Sequence, residues 1–276
     1  MVTIQLTMES QALRATTDVN VLYPLKRSFG FGDPEGKTAT YQPLSDKLPV
    51  LWLVHGGGDN FSGWVNRTRL AELADKVDLM VVMPSIRDFT SSRRDVDYYT
   101  FLAEELPAYI RRILPASDKR EDNFIGGLSM GGYFSYRIAL NYPERYSHVG
   151  SLSSPLDIVE DLRIRHKGSK TLVEADTLIG TDRDLRALVE KNLAAGAELP
   201  RMFQACGTED FTYEINVAMR EFFREKNLDL TYLEGPGIHN WQFWDTYIEK
   251  LIEWLPLKKA GEPGKPAGHK FQKGGE

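Results

Sequence analysis

The 276-residue chain has a formal net charge of −5, 42% hydrophobic and 26% charged residues, and one cysteine. That size suits one large domain with a full core, and the mild acidity gives no footing for nucleic acid. One thiol excludes an internal disulfide and a cysteine-rich zinc site, and no apolar run nears the ~20 residues needed to cross a bilayer. The opening MVTIQLTMES lacks a basic segment followed by an apolar one, so a cytoplasmic location is expected, with no membrane partner.

In chain order, VTIQLTM (2–8) and DVNVLYPL (18–25) alternate as antiparallel strands joined by a turn. From residue 48 the character changes. The runs VLWLVH (50–55), DLMVVMP (78–84), NFIGGLS (123–129), HVGSLS (148–153), RMFQACG (201–207) and LDLTYLE (228–234) are short and apolar on both faces, as parallel strands require. Helical spacing occupies 98–114, 133–142, 217–226 and 243–255; Pro107 should kink or divide the first, and Pro143 should end the second. This alternation predicts an α/β domain over 1–257: a mostly parallel central sheet, an N-terminal antiparallel hairpin and helices on both faces. Residues 155–199 form a long connection with two helix-like stretches, which reads as a lid-like insertion or pocket wall. The Gly/Pro/Lys-rich stretch 258–276 reads as a flexible tail.

Gly127-Leu128-Ser129-Met130-Gly131 matches G-x-S-x-G. In that motif the serine occupies a strained turn between strand and helix, and bulk two residues to either side would strike neighbouring backbone. The pattern is short enough to arise by chance. Here a strand reading precedes it and a helix reading follows, the context the motif needs; the competing reading is a serine that merely caps a helix. A serine hydroxyl needs a base, and the chain has five histidines. His269 lies in the tail, His166 in a charged stretch of the insertion, and His148 opens a strand. His55 ends the first parallel strand, where a structural role beside a glycine loop suits it. His239 remains, in a loop after the last strand, at the sheet edge where open α/β sheets bind ligands. The acid should fall between serine and histidine at a strand end, and Cys206-Gly-Thr-Glu-Asp-Phe211 offers both Glu209 and Asp210. His55-Gly-Gly-Gly-Asp59 supplies a loop for one oxyanion donor, Gly57 or its neighbour Gly58, and the backbone N–H of Met130 supplies the other. No phosphate-binding glycine pattern follows this strand.

With these residues in place the chain resembles the esterase D-like family of α/β-hydrolases, nearest its tributyrin-esterase branch. The resemblance spans about residues 1–256 and rests on HGGGDNFSGW (55–64), DYYTFLAEELP (97–107), GLSMGGYFSYRIALNYPERY (127–146), CGTEDF (206–211) and GIHNW (237–241). It implies Ser129 as nucleophile, Asp210 rather than Glu209 as acid, His239 as base, and Gly57 and Met130 as oxyanion donors. The implied activity is hydrolysis of short-chain acyl esters, small molecules, with no metal or organic cofactor. Feruloyl or acetyl-sugar esters are the alternative. Tyr133, Phe134 and Ser135 follow Ser-Met-Gly-Gly where the family's S-formylglutathione hydrolases carry a histidine and small residues, which counts against glutathione thioesters. A non-catalytic binding module is the reading from another class. Gly58, Phe61, Trp64, Tyr133 and Trp241 are the candidate pocket residues, with core packing as the competing role for the aromatic ones. A homo-oligomer is neither required nor excluded by one sequence.

Overall fold

The computed structural model describes residues 1–24, 47–86, 97–165 and 172–258. Eight strands form one sheet in the order β1-β2-β4-β3-β5-β6-β7-β8. β1 (Val2–Ser10) and β2 (Ala15–Tyr23) make the antiparallel hairpin, and β2 joins β4 (Met80–Pro84) antiparallel. From β4 onward every pairing is parallel, through β3 (Val50–Val54), β5 (Asn123–Leu128), β6 (His148–Leu152), β7 (Arg201–Gly207) and β8 (Leu230–Gly235).

Period-two alternation within these apolar strands sorts the core into two layers. Val50, Trp52, Val54, Ile125, Val149 and Met202 face one side. That side is covered by α4 (Leu106–Ile113), α5 (Met130–Asn141), α8 (Leu185–Ala194) and α9 (Tyr213–Glu225). Leu51, Leu53, Phe124, Leu128, Leu152 and Phe203 face the other, under α1 (Gly63–Arg67), α2 (Leu70–Asp75) and α10 (Trp241–Trp254). Sequence periodicity does not show α1 and α2, because five- and six-residue helices are too short to display a period.

The helix expected over 98–114 is not divided: α3 (Tyr98–Thr100) leads through a π-helical turn, Phe101–Glu105, into α4 without a break, and Pro107 changes the winding instead of cutting the run. The backbone stays helical at Thr100, Glu105 and Leu106, the Leu106 N–H donates to Phe101 O, and the wider π turn falls just where Pro107 supplies no N–H.

Residues 155–199 hold α6 (Ile158–Arg165), α7 (Leu172–Thr177) and α8. The last of these helices is packed into the core. Leu185, Leu188 and Val189 of α8 are buried in the core. Arg183 O accepts from the Tyr133 hydroxyl at 2.8 Å, Asp182 pairs with Arg137 at 2.5 Å, and Asn192 Nδ2 donates to Leu140 O at 2.7 Å. The insertion is thus fastened to the helix that follows Ser129. The expected tail, from residue 259, lies outside the described residues, as do residue 25 of the second expected strand and His166. Among the described residues no helix is long and apolar enough to cross a membrane.

His148 is 6% exposed, between Trp254 and Phe124. Burial, helped by the nearby charge of Arg201, lowers its pKa from 6.5 to about 4. The unfolded chain therefore takes up a proton near pH 6.5 that the folded chain refuses until about pH 4, and stability falls across that window as pH is lowered. Urea midpoints measured from pH 7 to 4 should decline, and His148→Gln should flatten that slope.

Candidate active site

β5 runs directly into α5 through Ser129, whose backbone sits at φ 52°, ψ −125°. A non-glycine residue in that conformation stores roughly 1–3 kcal/mol, which persists only where the surroundings enforce it. Here they do. The Ser129 N–H donates to Leu152 O at 2.8 Å, and Gly132 N–H returns to Ser129 O at 3.1 Å. A Cβ on Gly127 would lie 2.5 Å from both Val54 O and Gly131 C, and one on Gly131 would overlap the carbonyls of Val54 and His55. The two glycines of the motif are therefore required by close approach of β3 and α5.

His239 occupies the loop between β8 and α10. Its Nδ1 lies 2.9 Å from Asp210 Oδ2 and 3.0 Å from Oδ1. The Asp210 side chain is fully buried, while that of His239 is 19% exposed. Burial alone would raise the Asp210 pKa; the hydrogen bond from His239 and the N–H of Thr212 outweigh it and hold the carboxyl below its ordinary 3.8. The Thr212 hydroxyl donates to Asp210 Oδ1 at 2.8 Å beside the Thr212 N–H at 2.9 Å. Behind Thr212, Asn216 Nδ2 donates to Thr212 O at 2.8 Å, and Gln204 Nε2 donates to Asn216 Oδ1 at 2.9 Å. The Asp210 carboxylate is thus set at one end of a buried polar chain. Sequence reasoning missed this chain; its signal was a threonine two residues after an aspartate, a common local turn partner.

Glu209, the other candidate acid, points elsewhere. Its Oε2 accepts the Gly237 N–H at 2.5 Å, while its own N–H donates to Gly237 O at 3.1 Å. It clasps the loop that carries His239 and does not hydrogen-bond the imidazole.

A cavity of about 290 Å³ brings Ser129 and His239 together with Gly56, Gly57, Gly58, Asp59, Leu128, Asn240, Trp241 and Trp244. Among the described residues the second ring nitrogen of His239, Nε2, has no hydrogen-bond partner, which leaves it available to the serine hydroxyl or a substrate. In ligand-free sites such contacts are often long and tighten when substrate binds. Met130 is the first residue of α5, so its N–H has no acceptor within the helix. On the opposite wall, buried His55 fixes the glycine loop. Ile86 N–H donates to His55 Nε2 at 2.9 Å, so the ring proton is on Nδ1, which reaches Gly56 O at 2.7 Å. Burial lowers the His55 pKa, keeping the ring neutral and this arrangement intact. The Gly56–Gly57 peptide is trans, so with its C=O held toward His55 the Gly57 N–H points the opposite way.

The proposed pocket residues divide. Gly58 and Trp241 line the cavity, whereas Phe61, Trp64 and Tyr133 do not. Trp64 is completely buried, edge-on to Trp241 at 5.4 Å, and backs the wall without reaching it. Tyr133 is buried on the other face of the sheet, tied to Arg183. Phe61 is partly exposed and its carbonyl accepts from Asn20 Nδ2 at 3.3 Å. Asp59, Asn240 and Trp244 were missed. A position in a motif does not say which way a ring turns. Among the described residues no group of three or more His, Cys, Asp or Glu could hold a metal ion.

The family model described as "Putative esterase" matches residues 35–255. An acetyl esterase of Caldicellulosiruptor saccharolyticus is 30% identical over 268 residues, covering 92% of this chain and 98% of the relative. Among solved structures, an S-formylglutathione hydrolase of Staphylococcus aureus superposes with a TM-score of 0.78 at 25% identity, covering 92% of this chain and 98% of that one. A fluorophosphonate-binding serine hydrolase of the same organism, solved with substrate bound, gives 0.78 at 26% identity and the same coverage.

Proposed function

This chain belongs to the Putative esterase family, with the α/β-hydrolase fold, and from that premise we propose that Ser129, His239 and Asp210 hydrolyse short-chain acyl esters through an acyl-enzyme. That it is a serine carboxylic-ester hydrolase follows from the family; the residues and the substrate are the proposal. One observation carries it: the imidazole bonded to buried Asp210 lines the same cavity as a serine in strained backbone geometry.

Ser129 Oγ attacks the ester carbonyl as His239 Nε2 takes its proton. Asp210 holds the other ring proton on Nδ1 and stabilises the imidazolium. The N–H groups of Met130 and Gly57 receive the oxyanion, and His55 keeps the second of them aimed. His239 then protonates the departing alcohol and afterwards activates the water that frees the acid.

A cavity of about 290 Å³ is at the floor of the roughly 300–1,000 Å³ range of small-molecule sites, which favours a short acyl group. Asp59 lines that cavity, and its negative charge disfavours glutathione thioesters, whose peptide part is itself anionic. Cytoplasmic residence belongs to the same proposal. In a panel of nitrophenyl esters run beside methyl ferulate, kcat/KM should peak at about two to four acyl carbons and fall at least about tenfold by eight. A maximum at long chains, or on methyl ferulate, would reject the short-acyl assignment.

A further inference from the structure

The cavity that holds Ser129 and His239 is unequal in charge. Asp59 lines it, and among the described residues no Lys or Arg does. The Asp59 carboxylate accepts the Asn60 N–H at 2.8 Å and lies against Gly63, where a Cβ would come within 2.5 Å of Oδ1. Among the described residues no cation pairs with it. Its charge reaches the glycine loop: burial lowers the His55 pKa, and Asp59 acts against that shift. A negative charge beside the loop that receives the oxyanion opposes the transition state, unless the substrate carries a positive one.

Two indoles complete the lining. Trp241 and Trp244 meet at 86° with centroids 5.2 Å apart. A cation already rests on this wall from outside, since the exposed Arg67 lies 5.7 Å from the Trp241 centroid without lining the cavity. A carboxylate and indole rings around one small cavity are the combination that holds ammonium groups, the first by charge and the rings by their quadrupole. The short acyl part proposed above is uncharged, so a positive charge belongs on the alcohol part. We infer that the site selects short-acyl esters of ammonium-bearing alcohols, with Asp59 as the residue that sets this preference. This rests on the esterase reading and adds the alcohol side to it.

Acetylcholine, 3,3-dimethylbutyl acetate and 4-acetoxybutanoate share an acetyl group and carry a positive, a neutral and a negative alcohol part. The first two have the same shape. Ratios of kcat/KM compared between the wild type and Asp59→Asn cancel the intrinsic reactivities of the esters. Asparagine keeps the shape and can still accept the Asn60 N–H, but it removes the charge. The acetylcholine-to-dimethylbutyl ratio should fall about tenfold, and the acetoxybutanoate-to-dimethylbutyl ratio should rise by a similar factor. In the wild type, raising NaCl from about 0.02 to about 0.5 M should move both ratios in those same directions. Ratios unmoved by Asp59→Asn would overturn the cation site alone, even if all three rates fell, because a uniform loss means that Asp59 only holds the turn into α1. Wild-type ratios indifferent to salt would do the same. A wild-type enzyme inert to all three acetates and to a fluorophosphonate would overturn the esterase reading, and the cation site with it.

Discussion

Ser129→Ala should reduce kcat by about 10⁵- to 10⁶-fold on any ester the wild-type enzyme cleaves. The hydroxyl is the only atom removed, so the acyl-enzyme route closes. The residual rate comes from substrate binding and the N–H donors around the oxyanion. Folding should be untouched. The Ser129 side chain makes no capping bond to α5, and the turn is held by backbone hydrogen bonds and the close approach of Gly127 and Gly131, all of which alanine keeps. A melting temperature within about two degrees of the wild type, alongside the lost rate, separates chemistry from collapse. A variant that unfolds, or one that retains a hundredth of the rate, contradicts the assignment.

The second large effect is Asp210→Asn, expected to lower kcat by about 10⁴-fold. The reason is a tautomer, and the neighbours dictate it. Thr212 directs both its N–H and its O–H at Oδ1 of residue 210, so an asparagine must keep its oxygen there. Its NH₂ then takes the place of Oδ2, 2.9 Å from His239 Nδ1. Facing a donor, Nδ1 must become the acceptor, which moves the ring proton to Nε2, where it can no longer receive the proton of Ser129. Glu209→Gln should cost less than about tenfold, because a glutamine oxygen can still accept the Gly237 N–H. Kinetics of the two variants on one substrate give the order, and the reverse order would move the acid to Glu209.

Much of this architecture was legible in the residues. Apolar runs with β-branched and aromatic content gave the six parallel strands to within two residues, because the inner ones are buried on both faces and leave no polar positions to blur their limits, whereas β2 begins three residues before its expected start, in the polar stretch Ala15–Thr17. Ser129 and His239 were legible for a different reason. One sits in a motif whose glycines are sterically forced, and the other was the histidine left at the sheet edge where the cavity lies. Asp210 and Glu209 were not separable from neighbouring positions alone, since the choice depends on which carboxylate turns inward under Thr212 and which reaches Gly237. The same limit explains Trp64 and Tyr133. Both lie in motif stretches, but one turns beneath the pocket wall and the other to the far layer. Of residues 155–199, the two stretches read as helix-like contain α6 and α8, but nothing in an amphipathic pattern says whether an apolar side meets a pocket or another helix; here α8 meets α5.

The chain-wide claim is that three segments far apart in sequence act as one proton-transfer unit on one serine. Treatment with a fluorophosphonate followed by peptide mass mapping tests it most directly. A single adduct on Ser129, abolished or slowed by orders of magnitude in His239→Ala, is the expected result. An unmodified protein, an adduct on another residue, or equally fast labelling of Ser129 without the imidazole would contradict it.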